Sequence, residues 1–263
     1  MAHPDDESFM AGGLIAKYLN LGWKIELLCA THGEAGQYGP YDETADIGAI
    51  RTQEMIDAAQ IVGISEIHWL DYKDGQLSKI NPGELEDKIH KVLLLVEPSI
   101  VITFEPNGIS NHPDHKRISV STTFAFQKYA KTKVRGQQLG TRDSRRQFGH
   151  VLPPSDIEPK LYFGCMPESI VEYLQKNKVI PTESFGKPWK GIPDKKITTI
   201  IDIEEFTQKK IEALSKHKTQ EQDVERFVSI NNQPLAYKEY FVLRMQGEQE
   251  VFMGNKDQVA SEL

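Results

Sequence analysis

The chain begins with Met1-Ala-His-Pro-Asp-Asp-Glu7, in which one histidine and two aspartates lie within four positions. Pro4 fixes φ at about −65° and suits the first turn of a helix. In a helix that starts here, His3 and Asp6 are three positions apart and face the same point, whereas Asp5 faces elsewhere. Both aspartates lie near the helix N-terminus, where negative charge is favoured. The stretch therefore predicts different roles for two adjacent carboxylates, with a capped polar turn as the alternative interpretation.

A second stretch, Phe104-Glu-Pro-Asn-Gly-Ile-Ser-Asn-His-Pro-Asp-His115, follows an apolar run and has the same order of strand, loop, His-Pro-Asp and helix. Its two histidines are again three positions apart. Together the two stretches offer His3, Asp6 and His115, a set that is common in catalytic zinc sites and leaves a fourth position open for water. Iron or cobalt could also occupy such a set. One cluster is a weak signal, but two clusters with the same layout indicate a metal site.

These two motifs, AHPDDE at residues 2–7 and HPDH at residues 112–115, resemble those of the LmbE-like (PIG-L) family of zinc-dependent N-acetylglucosaminyl deacetylases. Shorter matches to the family follow in the expected order: Thr31-His-Gly-Glu-Ala-Gly36, Arg51-Thr-Gln-Glu54, Tyr72-Lys-Asp-Gly75 and His217-Lys-Thr-Gln220. The resemblance covers residues 1 to about 120 well and continues as scattered matches to about residue 245.

The resemblance implies a hydrolase of carbon–nitrogen bonds that removes the N-acetyl group from an N-acetylglucosamine conjugate. The products would be acetate and a free amino sugar. One zinc ion per chain would bind to His3, Asp6 and His115. Asp5 stands at the position of the family's general base, and His112 would stabilise the oxyanion and protonate the leaving amine.

Three further residues are candidates for substrate binding because they match family positions. Arg51 could fork onto a hydroxyl, phosphate or carboxylate of the aglycone, and Asp74 could accept hydrogen bonds from sugar hydroxyls. His217 could contact the substrate, or it could lie behind the residues that do. The structural alternatives are a charge at a helix start for Arg51, a turn residue for Asp74 and a histidine favoured by a helix C-terminus for His217.

The first motif departs from the family in what precedes it. In the resembled family a buried central strand stands before this motif, whereas only Met1 and Ala2 stand before His3 here. Three explanations are open at this point: a truncated chain, a misassigned start codon, or replacement of the strand by another element. We expect the departure to affect folding more than the chemistry of the site.

Helical and strand patterns alternate through the first half of the chain. Helices are expected over 8–21, 46–62, 82–96 and 115–130, and strands over 23–30, 66–70 and 99–104. Further strands at 159–165, 197–203 and 240–245 and a helix at 204–217 would complete one domain over residues 1–263. The alternation predicts a Rossmann-like three-layer α/β/α sandwich with a mostly parallel sheet. The loops at 3–7, 31–41, 71–76 and 105–115 should then gather at one edge.

Two segments are predicted to be poorly ordered. Residues 131–154 are basic and poor in apolar side chains, which is typical of a mobile surface loop. A basic lid that attracts an anionic substrate group is the alternative interpretation. The polar tail after residue 247 should fray.

Composition limits the class of protein. The 263 residues carry a net charge of −7 with 39% hydrophobic residues, which argues against a nucleic-acid-binding or anionic-membrane-binding surface. Apolar runs as long as a membrane span are absent from the sequence. The two cysteines, Cys29 and Cys165, do not make a disulfide framework and fit a reduced cytoplasm. Homo-oligomer formation is left open.

Other functions remain to be weighed against the deacetylase. An amidase of the same fold could cleave a different amide, such as a thiol conjugate, and a sugar-binding protein could retain the site without catalysis. A nucleotide-binding protein is the weakest alternative because the sequence has neither G-x-G-x-x-G nor G-K-[ST]. The aglycone could be inositol, malate, phosphatidylinositol or a second sugar.

Overall fold

The computed structural model describes residues 1–138, 158–229, 234–251 and 259–263 of the chain. The helices in these ranges are α1 Asp6–Asn20, α2 Ile47–Val62, α3 Glu84–Val96, α4 Gly108–Asn111, α5 Pro113–Gln138, α6 Glu168–Lys176, α7 Thr207–Leu214 and α8 Glu221–Ser229. The strands are β1 Glu26–Thr31, β2 Glu66–Tyr72, β3 Ile100–Phe104, β4 Lys160–Cys165, β5 Glu183–Ser184, β6 Lys187–Pro188, β7 Thr199–Asp202, β8 Lys238–Gln246 and β9 Gln249–Glu250. The predicted helices and strands follow one another in the expected order and the α/β class is confirmed, whereas α4, α6, α8, β5, β6 and β9 were not predicted.

The direction of the strands changes between the two halves of the chain. β1 pairs with β2 and β3 pairs with β4, both in parallel. β8 then lies between β4 and β7 and is antiparallel to both, so the expectation of a mostly parallel sheet is wrong for the described C-terminal strands. The reason is the path between β7 and β8: the chain leaves the sheet after Asp202 and re-enters at Lys238, which is its partner. A connection that returns to the same end reverses the strand.

A cavity separates the two parallel pairs. The N–H groups of Ala30 and Thr31 donate to the carbonyls of Met1 and Ala2, each at 3.0 Å, so the first two residues continue the ladder beside β1. Beyond them, β1 and β3 share no ladder within the described residues. The space between them is a cavity of about 400 Å³. Apolar side chains make up much of its lining, among them Leu14, Leu27, Ile89, Leu93, Ile100 and Ile102.

Helices cover both faces of the sheet that contains β3, β4, β8 and β7. Successive side chains of a strand point to opposite faces. Leu161 of β4 packs in one apolar cluster with side chains of α3 and α5, and Tyr162 packs in another with side chains of α1 and α7. α1 therefore lies on the face opposite α5, and the described sheet has helices on each side.

The last predicted helix of the first half is longer than expected. α5 continues to Gln138, so the loop predicted to begin at Lys131 is helical over its first eight residues. Lys, Arg and Gln are good helix formers, and the scarcity of apolar residues there did not stop the helix. Residues 139–154 of the predicted loop lie outside the described residues.

The end of the chain is partly held in place. Ala260 donates its N–H to the carbonyl of Thr198 and accepts from the N–H of Ile200, both at 2.9 Å. The N–H of Leu263 donates to the hydroxyl of Tyr18 at 2.8 Å. The prediction of a frayed tail is therefore wrong for 259–263, because these residues satisfy backbone groups of β7, and residues 252–258 lie outside the described ranges.

Two simpler expectations concern cysteines and membrane spans. Cys29 and Cys165 are both buried and free. Within the parts of the chain that the structure describes, no helix combines the length and the apolar character needed to cross a bilayer.

A buried ion pair joins the C-terminal half to α1. Lys210 of α7 donates to Glu239 of β8 at 2.6 Å, and both side chains are almost fully buried. Lys210 also donates to the carbonyl of Phe9 at 2.8 Å, while Glu239 accepts from the N–H groups of Gly13 and Leu14 at 3.0 and 2.8 Å. The pair therefore bonds to the backbone of α1 and fixes the helix that carries the first motif.

Replacing Lys210 with Met should lower the free energy of unfolding by about 3–5 kcal/mol, because it leaves Glu239 buried without its counter-charge. Urea unfolding followed by circular dichroism measures the change. The control is Lys128→Met, which breaks an ion pair with Asp87 on the surface and should change stability little. Equal losses in the two variants would contradict the role of the buried pair.

Candidate active site

The loops that follow β1, β2 and β3 meet beside the first motif. His3 follows the two residues that pair with β1, Asp74 follows β2, and His112 and His115 follow β3. The ring of His3 lies 4.7 Å from that of His112 and 5.2 Å from that of His115, measured between centroids. Segments more than a hundred residues apart in sequence thus form one cluster at the carboxyl ends of the strands.

The three predicted metal ligands point their donor atoms at one another. Nδ1 of His3 lies 3.2 Å from Nε2 of His115, and this Nε2 lies 3.2 Å from Oδ1 of Asp6. Nδ1 of His3 and Oδ2 of Asp6 are 3.7 Å apart. His115 donates its Nδ1–H to the carbonyl of Gly108 at 3.2 Å, which leaves Nε2 free to bind a cation. Two imidazole nitrogens and one carboxylate suit zinc, and also iron or cobalt.

Other combinations of side chains could also hold a cation. Within the described residues three groups have the required spacing: His3 with His112 and His115, His3 with Asp74 and Asp114, and His68 with Glu26 and Glu66. The last group lies at the start of β1 and β2, at the opposite end of these strands from His3. The first two groups both contain His3. Nδ1 of this ring faces His115, and Nε2 faces Asp74 and Asp114.

Asp6 is held as a carboxylate by its surroundings. Its Oδ2 accepts from the N–H groups of Ala2 and His3 at 3.0 and 2.8 Å, which closes the turn before α1. Burial by itself would raise the pKa of Asp6, but the neighbouring His115 and His3 hold that pKa well below its usual range. The group is therefore an anionic candidate ligand.

Asp5 faces away from Asp6. Its φ of 114° lies in the left-handed region that side chains rarely adopt, and α1 starts only after it. Its Oδ2 accepts from Nη2 of Arg51 at 3.1 Å. Burial raises the pKa of Asp5 to about 6, and Arg51 opposes part of the rise. A carboxylate with a pKa near neutrality, next to a metal-capable cluster, has the properties of a general base.

His112 is placed as a neutral hydrogen-bond donor. The N–H of Asp114 donates to its Nδ1 at 3.2 Å, so the ring proton is on Nε2. Burial, with His115 and His3 close by, lowers the pKa of His112 to about 4. The neutral ring can therefore donate from Nε2 without carrying a charge.

The three predicted substrate contacts are all buried and face polar groups of the protein. Arg51 is 4% exposed and donates to Pro4, Gly33 and Asp5. Asp74 is 7% exposed, and its Oδ1 lies 2.9 Å from Nε2 of His3. His217 is 1% exposed, and its Nε2 lies 3.4 Å from Oε1 of Glu7. Contact between these side chains and a substrate stays a prediction.

Three buried carboxylates near the site were not assigned a role from the sequence. Asp114 accepts from the N–H groups of the loop after β2, Glu7 faces His217, and Glu54 accepts from the N–H and hydroxyl of Thr219 at 2.9 and 2.6 Å. All three lie inside motifs that the sequence does show. Their partners could not be found, because they depend on which distant segments fold against each other.

The fold and the site together define a class: a mixed α/β protein whose strand ends carry a histidine and carboxylate cluster suited to a catalytic metal. The chain belongs to the PIG-L family, whose model, described as GlcNAc-PI de-N-acetylase, matches residues 1–126. This family is the one that the two motifs resemble, so the resemblance is confirmed. A relative from Kineococcus radiotolerans is named 1D-myo-inositol 2-acetamido-2-deoxy-alpha-D-glucopyranoside deacetylase. It is 30% identical over 255 residues, which span 83% of this chain and 67% of the relative.

Solved structures show the same fold at lower identity. The N,N'-diacetylchitobiose deacetylase from Pyrococcus horikoshii has a TM-score of 0.60 at 21% identity and covers 93% of this chain and 81% of its own. GalB, the 4-carboxy-2-hydroxymuconate hydratase from Pseudomonas putida KT2440, has a TM-score of 0.62 at 18% identity, with coverages of 95% and 96%. These likenesses establish the fold, and the reaction must be argued from the site.

Replacing Gly108 with Ala should displace His115 and weaken zinc binding. A Cβ at Gly108 would lie 2.7 Å from Cβ of His115, and the residue has a φ of +68°. Gly83→Ala is the matched control, because its φ is +91° but a Cβ would meet nothing within 4 Å. Both variants should lose about 1–2 kcal/mol of stability from the left-handed backbone. Only Gly108→Ala should change the zinc affinity, and equal affinities would contradict the prediction.

Proposed function

We propose that this protein is a metal-dependent hydrolase that removes the N-acetyl group from an N-acetylglucosamine conjugate. The observation that carries the proposal is the convergence of His3, Asp6 and His115 at 3.2–3.7 Å, with Asp5 turned aside and bonded to Arg51. The relative from Kineococcus radiotolerans supports inositol as the aglycone, because its name specifies an acetamido sugar on inositol.

The candidate ligands fit a zinc ion. Two neutral imidazoles and a carboxylate make a common catalytic donor set, and the buried His3 and Asp6 with the half-buried His115 supply it. When bound, zinc polarises an amide carbonyl and lowers the pKa of a coordinated water. The protein's own contribution is to hold these ligands, a base and a hydrogen-bond donor around one amide.

Asp5 is the proposed general base. It accepts the proton of the attacking water at its carboxylate, and a pKa raised to about 6 keeps it mostly ionised near neutral pH while still able to bind a proton. Arg51 fixes its orientation through the bond to Oδ2 and is itself fixed by the carbonyls of Pro4 and Gly33. Arg51 thereby acts on the base, whatever contact it makes with a substrate.

His112 is the proposed donor to the developing oxyanion. Its neutral ring carries the proton on Nε2, and a preorganised donor of this kind stabilises charge that appears in the transition state. The amide C–N bond then breaks as the nitrogen takes up the water proton that Asp5 accepted, while the neutral His112 keeps its Nε2 proton and continues to donate to the oxygen. Acetate and a primary amine leave, and both side chains return to their starting states.

A panel of substrates tests the reaction and the aglycone together. N-acetylglucosaminyl-inositol, N-acetylglucosaminyl-malate and N,N'-diacetylchitobiose are incubated with the zinc-loaded protein beside an amide of a cysteine thiol conjugate. We expect free amine and acetate in equal amounts from the acetamido sugars, with the inositol conjugate giving the highest kcat/KM. Hydrolysis of the thiol conjugate alone would replace the proposed substrate class, and binding of sugar without hydrolysis would indicate a sugar-binding protein.

Replacing each of the two adjacent aspartates separates their roles. Asp5→Asn should retain zinc and lose at least about 100-fold in kcat, the lower end for a lost general base. Asp6→Ala should lose zinc and activity together, because an anionic ligand is removed. Zinc content by elemental analysis and kcat on the best substrate are measured for both.

The control for these variants is Asp46→Asn at the start of α2. Asp46 accepts from the N–H of Ala49 as a helix cap, and Asn caps a helix equally well, so metal and turnover should not change. A fully active Asp5→Asn enzyme would contradict the assignment of the base.

A further inference from the structure

The carboxylate of Asp114 joins the first motif to the loop after β2. The side chain is fully buried. Its Oδ2 accepts from the N–H of Gly75 at 2.7 Å and lies 3.4 Å from Nε2 of His3, while its Oδ1 accepts from the N–H of Leu77 at 3.2 Å. A single carboxylate thus holds the backbone of one loop and faces the ring of a candidate metal ligand on another.

Asp74 meets the same nitrogen of His3. Its Oδ1 lies 2.9 Å from Nε2 of His3, and its Oδ2 accepts from the N–H of Ala35 at 3.1 Å. Asp74 directly precedes Gly75, the residue that Asp114 holds, so the position of Asp74 depends on Asp114. Two carboxylates around Nε2 require the ring proton to be on that atom, because carboxylates only accept hydrogen bonds.

The other nitrogen of His3 faces the remaining predicted ligands. Nδ1 is the atom that lies 3.2 Å from Nε2 of His115 and 3.7 Å from Oδ2 of Asp6. With the proton on Nε2, the ring directs Nδ1 into the space between it, Nε2 of His115 and Oδ2 of Asp6. Carboxylates bonded to the far nitrogen of a ligating histidine fix its tautomer and orientation and raise its basicity.

We propose that Asp114 is a positioning residue that sets the orientation of His3 for metal binding, directly at Nε2 and indirectly by holding the loop that carries Asp74. The inference rests on the proposed function for the identity of the metal site. The competing arrangement is a cation bound by His3, Asp74 and Asp114 themselves, which also have suitable spacing. In that arrangement Nε2 of His3 would be a ligand atom and could carry no proton.

Zinc affinity tests the role of Asp114. Competition with a chromophoric chelator is measured for the wild type and for Asp114→Asn, which keeps the size of the side chain but places an amide among N–H donors. We expect zinc affinity to fall by about 10- to 100-fold. Asp74→Asn should also weaken binding, and the double variant should lose less than the product of the two factors because both carboxylates act on one nitrogen.

Glu86→Gln is the control for loss of a hydrogen-bonded carboxylate that does not contact His3. Glu86 accepts from the N–H of Gly83 at 2.9 Å and from the hydroxyl of Ser121 at 2.8 Å, in the contact between α3 and α5. Its replacement should lower the midpoint of unfolding without changing the zinc affinity. An Asp114→Asn protein with zinc affinity within twofold of the wild type would overturn the proposal.

A second measurement does not depend on the variants folding. In the zinc-loaded wild type, the ¹⁵N shifts of the His3 ring should show a metal-bound Nδ1 and a protonated Nε2. Zinc on Nε2 would overturn the proposal and support the competing arrangement. A protein that binds zinc through Nδ1 but hydrolyses no acetamido sugar supports the role of Asp114 and contradicts only the proposed function.

Discussion

The burial of negative charge around His3 is the constraint on which the site depends. Asp6, Asp74 and Asp114 are each at most 7% exposed, and each has an oxygen within 3.7 Å of a ring nitrogen of His3. Buried carboxylates are stable only when they are paired and hydrogen-bonded. Backbone N–H groups of three separate segments supply these bonds, so the loops must come within hydrogen-bond distance of one another for the charges to be buried at all.

Two helices carry this constraint into the rest of the fold. α1 is fixed by Lys210 and Glu239 from the C-terminal half, and its first residue is Asp6. α2 presents Arg51 and Glu54 one turn apart: Arg51 bonds to Asp5, and Glu54 bonds to the backbone and hydroxyl at the late H-x-[ST]-Q turn. The R-x-x-E spacing therefore has a structural explanation, since one helix face connects the proposed base to a segment from the end of the chain.

Local patterns in the sequence were enough to predict the elements of the first half and the convergence of His3, Asp6 and His115. Helix periodicity and strand–loop–helix order are local properties, and parallel strand ends gather their loops at one edge. The antiparallel insertion of β8 was not predictable in this way, because alternation of apolar residues is the same for either strand direction. The bond from Arg51 to Asp5 was missed for a related reason: it joins groups that only the tertiary fold brings together.

The separation of Asp5 from Asp6 arises from the backbone and not from helical spacing alone. A non-glycine residue at a φ of 114° costs about 1–3 kcal/mol and persists only where its surroundings fix it. Here the carbonyl of Asp5 accepts from the N–H groups of Ser8 and Phe9, both at 3.0 Å, while its side chain is held by Arg51. The turn directs one carboxylate to a guanidinium and the next to two imidazoles. Burial raises the pKa of Asp5 to about 6 although Arg51 opposes the rise, whereas His115 and His3 outweigh burial and hold the pKa of Asp6 below its usual range. One pair of identical side chains can in this way supply a base and a ligand.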